Sequence, residues 1–156
     1  MTRNLPFEVL RHLRAQGRTL ATAESCTGGL IGKLLTDVPG SSEVYMGGVI
    51  SYTNGVKHQL LGVSEDTLRV YTAVSRQTAH EMARGAREAV QADIGVSVTG
   101  LAGPDGDGTG RHIGLVYIGI DLEGFSFSRE LHLAGNREAV REQAAEAVLQ
   151  LILDYA

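Results

Sequence analysis

Ser25, Cys26, Tyr52, Lys57, Arg111 and Arg137 are the side chains whose type and spacing could carry chemistry in this chain of 156 residues. Ser25 stands in Thr22-Ala23-Glu24-Ser25-Cys26-Thr27-Gly28-Gly29, between an apolar pair, Leu20-Ala21, and a helical pattern that begins at Leu30. That order reads as a strand, a tight turn and a helix N-terminus. A hydroxyl at such a turn faces backbone N–H groups that have no helical partner. Those groups, with the helix dipole, favour a bound anion or a developing oxyanion. Gly28 and Gly29 remove side chains where a ligand would approach. A serine in this position also serves simply as a cap. Cys26 is the rival nucleophile if its thiol ionises at the helix end, although small buried cysteines are commonly core filler. The residues by themselves leave the choice open.

The second group is Ser51-Tyr52-Thr53-Asn54-Gly55-Val56-Lys57. Tyr52 closes a strand and Lys57 enters the next helical turn. A lysine in a desolvated pocket loses basicity and can take a proton from a serine hydroxyl. A tyrosine can relay that proton or hold the lysine. A strand-end tyrosine beside a solvated lysine is the plainer alternative. The Tyr–Lys separation is one residue longer than the Tyr-x-x-x-Lys of short-chain dehydrogenases, and no Gly-x-Gly-x-x-Gly follows the first strand. Dehydrogenase chemistry is therefore not expected.

The third group is the loop Thr99-Gly100-Leu101-Ala102-Gly103-Pro104-Asp105-Gly106-Asp107-Gly108-Thr109-Gly110-Arg111. It leaves a buried strand and concentrates glycine where backbone amides can surround an anion. No Gly-Lys-Ser/Thr closes it, so it is not a Walker loop. Arg137 falls in the first turn of the last helix, where a cation opposes the dipole and calls for an anionic partner. His12, His58, His80, His112 and His132 show no paired ligand spacing. Neither a metal site nor a cofactor is expected.

These groups need a scaffold. Asn4-Leu5-Pro6 offers a cap and a first-turn proline, and Val9, Leu10 and Leu13 form a stripe that Gly17 ends. A strand around Thr19–Ala23 precedes the Ser25 turn, and a short helix covers Leu30–Thr36. Val44–Thr53 reads as a strand with a bulge or close approach at Gly47-Gly48. Asn54-Gly55 reads as a turn before a short helix, Val56–Leu61. A helical turn and loop follow over Ser64–Tyr71. Ser75 caps a long helix whose Ala79, Met82, Ala83, Ala86 and Val90 share one face. Ile94–Val98 is a buried strand. Ile113–Asp121 and Phe125–Leu133 form a hairpin about Glu123-Gly124. Asn136 caps a last helix that turns Val140, Ala144, Ala147, Val148 and Leu151 inward. The pattern predicts an α/β fold, a three-layer α/β/α sandwich with a mixed sheet, in one domain over 1–156. Ligands bind such sheets outside the strand ends.

Composition sets the bounds. Hydrophobic residues make up 43% of the chain, enough for a real core. A net charge of −4 argues against a nucleic-acid surface. The single cysteine suits a reducing compartment, and no apolar run reaches the length of a membrane span. Arg11, His12 and Arg14 interrupt the N-terminus where a signal peptide would be apolar. A cytoplasmic protein is expected.

Taken together, Ala23–Gly29, Ser51-Tyr52 with Lys57, Thr99-Gly100-Leu101-Ala102-Gly103-Pro104 and Gly114-Leu115-Val116-Tyr117 resemble the CinA C-terminal-domain family. The match runs in order along nearly the whole chain. Stand-alone members of that family include nicotinamide-nucleotide amidohydrolases. The resemblance implies hydrolysis of the carboxamide of nicotinamide mononucleotide to nicotinate mononucleotide and ammonia. It implies Ser25 as nucleophile, chosen over Cys26 by analogy alone, with Tyr52 and Lys57 as its activating partners. It also implies a nucleotide-binding set: Thr27, Gly28 and Gly29 at the turn, Thr99, Gly100, Ala102 and Gly103 in the loop, and Arg137 with Arg111 as helper. Self-association as a homodimer is a further expectation.

Two departures stand out. The family loop usually runs Gly-Pro-x-Gly-Gly and ends Lys-Pro-Val-Gly. Here Asp105 and Asp107 add negative charge near the expected phosphate site, and Arg111-His112-Ile113-Gly114 closes the loop. A serine/lysine hydrolase of another small amide and a non-catalytic module for a pyridine nucleotide or phosphate ligand are the alternative functions.

Overall fold

Asn4 accepts from the Phe7 N–H, and Gly17 ends the first helix in the left-handed conformation, as the sequence pattern requires. In the computed structural model, which describes residues 3–156, α1 covers Leu5–Gln16 and β1 Leu20–Glu24. Then come α2 (Leu30–Thr36), a 3₁₀ turn at Ser41–Glu43, β2 (Tyr45–Ile50), α3 (Asn54–Leu61) and α4 (Glu65–Tyr71). The chain continues with α5 (Arg76–Ala89), β3 (Ile94–Gly100), β4 (Leu115–Leu122), β5 (Phe125–His132) and α6 (Arg137–Tyr155).

The five strands form one mixed sheet in the order β2-β1-β3-β4-β5. β1 pairs in parallel with both β2 and β3, and β3, β4 and β5 run antiparallel in turn. One face carries α1, α2 and α6, packed on Leu20, Val96, Val98, Ile118 and Ile120. The other carries α3 and α5, with α4 against α5; Ala21, Ala23, Leu61, Val63 and Met82 form the core there. This is the three-layer α/β/α sandwich with a mixed sheet that the sequence predicts.

The Gly47-Gly48 pair has the two uses expected of it. The β1–β2 register slips by one residue, leaving Met46 unmatched between Tyr45 and Gly47. At Gly48 a Cβ would lie 2.1 Å from Thr22 Oγ1, so only glycine fits.

One local expectation fails. Asn54-Gly55 is not a turn but the first turn of α3, because Thr53 is its N-cap and accepts from the Val56 N–H. The strand consequently stops at Ile50, and Ser51-Tyr52 lead out of the sheet. The long helix and the last helix begin at the caps expected for them, and the hairpin strands fall within two residues of their expected ends. No helix among the described residues is long and apolar enough to cross a membrane.

Candidate active site

Parallel strands β2, β1 and β3 end on the same edge of the sheet, and their ends bring Ser51, Ser25 and Thr99 together. The Ser25 N–H bonds the Val98 carbonyl at 3.1 Å, extending the β1–β3 pairing by one residue. On the other side the Ser51 N–H bonds the Glu24 carbonyl at 2.7 Å. That contact fixes the Ser51 carbonyl above the sheet edge, where Lys57 of α3 reaches it.

Lys57 is the largest fully buried side chain, with 1% of its surface exposed. Its Nζ lies 2.9 Å from Ser25 Oγ, 2.7 Å from the Ser51 carbonyl and 3.4 Å from the Tyr52 carbonyl. Among the described residues no carboxylate pairs with it. Burial without a counter-ion penalises the charged form and lowers its pKa from 10.5 to about 8. Ser25 is itself 7% exposed. Cys26, next to it, differs: burial pushes its thiol up to about 12, so the neutral form persists at physiological pH.

The N-terminus of α2 is not an open anion site, contrary to the sequence expectation. The Glu24 carboxylate occupies it, accepting from Thr27 Oγ1 at 2.6 Å and from the N–H groups of Gly29, Ile31 and Gly32 at 3.2, 3.0 and 3.0 Å. A charge buried at 2% exposure is thus fully bonded. Gly28 and Gly29 take left-handed angles, φ +60 and +103, that let the chain curl round this carboxylate. Thr27, Gly28 and Gly29 therefore shape the turn and do not line the cleft. The N–H groups of Cys26 and Thr27 have no oxygen acceptor among the described residues. Arg141 of α6 grips the carbonyls of the same two residues at 3.0 and 2.9 Å.

A cleft of about 260 Å³ opens over Ser25 and Lys57. Thr99, Gly100, Ala102 and Gly103 line it, together with Tyr52 and Arg137. Cys26, Leu101, Ala73, Val74, Asp105 and Asp107 complete the wall. The Thr99 hydroxyl is spent on the Ala73 carbonyl at 2.7 Å, so it positions the wall. Arg137 donates to the Gly103 carbonyl and, at 3.3 Å, to the Tyr52 hydroxyl. Among the described residues it has no carboxylate partner. The Tyr52 phenol makes no hydrogen bond to Ser25 or Lys57; only its carbonyl reaches the lysine. Arg111 does not line the cleft. Its guanidinium bonds Thr72, Val74, Asp107 and Thr109.

Sequence reasoning missed Glu24, Arg141 and the Ala73-Val74 wall. A glutamate closing an otherwise uncharged strand was a signal for Glu24. Arg141, one helical turn after Arg137 on α6, was a signal for a second arginine facing the site.

Fold and site together define an α/β/α chain with a buried serine–lysine pair at the parallel strand ends, under a cleft bordered by Arg137. The CinA C-terminal domain family matches residues 2–156, and the chain belongs to that family. It is 47% identical over 150 residues to a protein of Enterobacter agglomerans named nicotinamide-nucleotide amidohydrolase PncC, covering 96% of this chain and 92% of that one. It is 46% identical over 136 residues to a CinA-like protein of Syntrophomonas wolfei, covering 87% of this chain but 33% of that protein. It likewise spans 36% and 37% of two other curated relatives, about a third of their length. The crystal structure of a competence-damaged protein (CinA) superfamily member from Escherichia coli superposes with a TM-score of 0.95 at 34% identity, covering 98% of this chain and 89% of that one.

Proposed function

We propose that this chain hydrolyses the carboxamide of nicotinamide mononucleotide to nicotinate mononucleotide and ammonia, with Ser25 as nucleophile and Lys57 as base. The observation that carries the reading is the Ser25–Lys57 contact at 2.9 Å inside a desolvated pocket. The likeness to a protein named for this reaction supports the substrate.

A neutral lysine has two hydrogens and one lone pair. With the hydrogens on the Ser51 and Tyr52 carbonyls, the lone pair is left for the Ser25 hydroxyl. Lys57 takes the hydroxyl proton as Oγ bonds to the amide carbon. The carbonyl oxygen becomes an oxyanion, for which the N–H of Cys26, which lines the cleft and has no oxygen acceptor among the described residues, is the donor at hand. Protonated Lys57 then gives its proton to the departing nitrogen, and ammonia leaves. Water attacks the Ser25 ester, losing its proton to Lys57, and Oγ departs with that proton. Arg137, the cleft cation without a carboxylate, binds the 5′-phosphate. Tyr52 lines the ring side and supplies its carbonyl to the lysine; its phenol takes no part in proton transfer.

The test is ammonia release from nicotinamide mononucleotide by the wild type and by Ser25→Ala. Turnover by the wild type with a loss of about 10³-fold or more in Ser25→Ala is expected. A folded wild type that binds the nucleotide and releases no ammonia would leave a binding module instead.

A further inference from the structure

The loop between β3 and β4 has little of its own to hold it. Residues 104–110 are all exposed, and no backbone–backbone hydrogen bond involves residues 102–111. Yet this loop contributes Gly103, Asp105 and Asp107 to the cleft.

Arg137 holds its first part at the Gly103 carbonyl, and a second guanidinium ties down the rest. Arg111 donates through Nε to Thr109 Oγ1 at 3.1 Å and through Nη2 to Asp107 Oδ2 at 3.3 Å, both within the loop. The same group donates to Thr72 Oγ1 at 2.7 Å and to the Val74 carbonyl, both on the segment joining α4 to α5. That segment forms the facing part of the cleft through Ala73 and Val74. Five donors in a planar fork can hold these four acceptors at once; the three donors of an ammonium cannot.

The segment is also strained. Thr72 has φ 71 and ψ 173, a region that essentially only glycine occupies. Its carbonyl accepts from Ser75 Oγ at 3.1 Å and Thr78 Oγ1 at 2.7 Å, and its own hydroxyl accepts from the Val74 N–H at 3.3 Å. Thr99 holds the next carbonyl, that of Ala73. Strain persists only where the surroundings over-determine it.

We propose that Arg111 is a positioning residue that clamps the glycine-rich loop to the strained Thr72–Val74 wall and so fixes the shape of the substrate cleft. Its cation serves the loop and the wall, not the substrate. This rests on the amidohydrolase reading for its kinetic part alone.

The test uses Arg111→Lys and Thr72→Gly in the full chain. Lysine keeps the charge and loses the fork. Glycine accepts the Thr72 backbone angles and deletes the hydroxyl that Arg111 grips. Amide hydrogen exchange, measured without substrate, follows the Val74 N–H on the wall and the Thr109 N–H in the loop, which bonds Asp107 at 3.0 Å. In Arg111→Lys both are expected to exchange about tenfold faster. With nicotinamide mononucleotide, KM is expected to rise about tenfold in both variants while kcat stays within about twofold, the mark of lost uniform binding. Unchanged exchange overturns the clamp whatever the substrate is. Faster exchange with KM unchanged, or a loss confined to kcat, overturns the positioning role. If the wild type releases no ammonia, the amidohydrolase reading fails, and exchange alone decides the clamp.

Discussion

Glu24 and Ser25, adjacent in the chain, send their side chains to opposite layers of the sandwich. Glu24 turns to the N-terminus of α2 and takes four donors there. Ser25 turns to Lys57 of α3 in the other layer. The alternation of an extended chain makes this possible. One residue braces the turn on one side of the sheet, and its neighbour meets the lysine on the other.

Glu24→Gln should therefore destabilise the fold before it touches any chemistry. The amide NH₂ would face backbone N–H donors and leave at least one of them without an acceptor. The loss is about 2–3 kcal/mol, a drop of about 5–10 °C in Tm for a chain of this size. Thermal unfolding of the variant measures it; an unchanged Tm would mean that the carboxylate is not what holds the turn.

The fold was legible because its signals are local. Asn4, Ser75 and Asn136 cap helices from sequence positions a few residues away, and the Glu123-Gly124 hairpin is set by spacing. The Ser25–Lys57 pair was legible as two candidates, since a strand–turn–helix and a lysine after a strand can be read separately. Their meeting depends on where α3 packs beside α5, which spacing does not encode. Glu24 was opaque for a related reason. A carboxylate five to eight residues before the N–H groups it caps matches no short capping pattern. Thr27, Gly28 and Gly29 were consequently assigned to a ligand that the chain's own glutamate replaces. The partners of Arg111 on the wall, Thr72 and Val74, lie 39 and 37 residues away, so no local pattern pointed to them.

Lys57 gives the pH dependence its sign. Its pKa is lowered to about 8 by burial, and the proposed mechanism uses its neutral form as the base. The kcat/KM should rise with pH and level off above about 8. Stability follows the same group. Between about 8 and 10.5 the unfolded chain holds a proton on Lys57 that the folded chain has lost, so stability rises with pH across that window. The increment is about 3 kcal/mol. Cys26, Tyr45 and Tyr117 have raised pKa values and oppose it as the pH climbs, because the unfolded chain loses their protons first. Urea unfolding of the wild type and Lys57→Met at pH 7.5 and pH 10 isolates the lysine. A difference between the two proteins that does not change with pH would contradict the assigned shift.

Cys26 should prove dispensable. Its thiol is neutral below a pKa of about 12 and only 6% exposed, despite its place beside Ser25. Cys26→Ala should keep kcat within about twofold of the wild type, because the proposed mechanism passes no proton or bond through sulfur. A thiol-alkylating reagent at pH 7.5 should label the native protein slowly and the denatured protein fast. Loss of turnover in Cys26→Ala, with Ser25→Ala still active, would reverse the choice of nucleophile.

Arg137 separates phosphate recognition from loop support. The guanidinium holds the Gly103 carbonyl and the Tyr52 hydroxyl and pairs with no carboxylate among the described residues, so a positive charge stays at the cleft rim. Asp105 and Asp107 stand on the same cleft and make that one cation the more consequential. Removing a charge-assisted bond to phosphate costs about 10–100-fold in binding. Arg137→Ala should raise KM for nicotinamide mononucleotide by that factor, with a much smaller effect on kcat. Nicotinamide riboside, which lacks the phosphate, should bind the wild type and the variant almost alike. If the variant loses affinity equally for both compounds, Arg137 serves to hold Gly103 and Tyr52 in place, and the phosphate is bound by the amides of the glycine-rich loop instead.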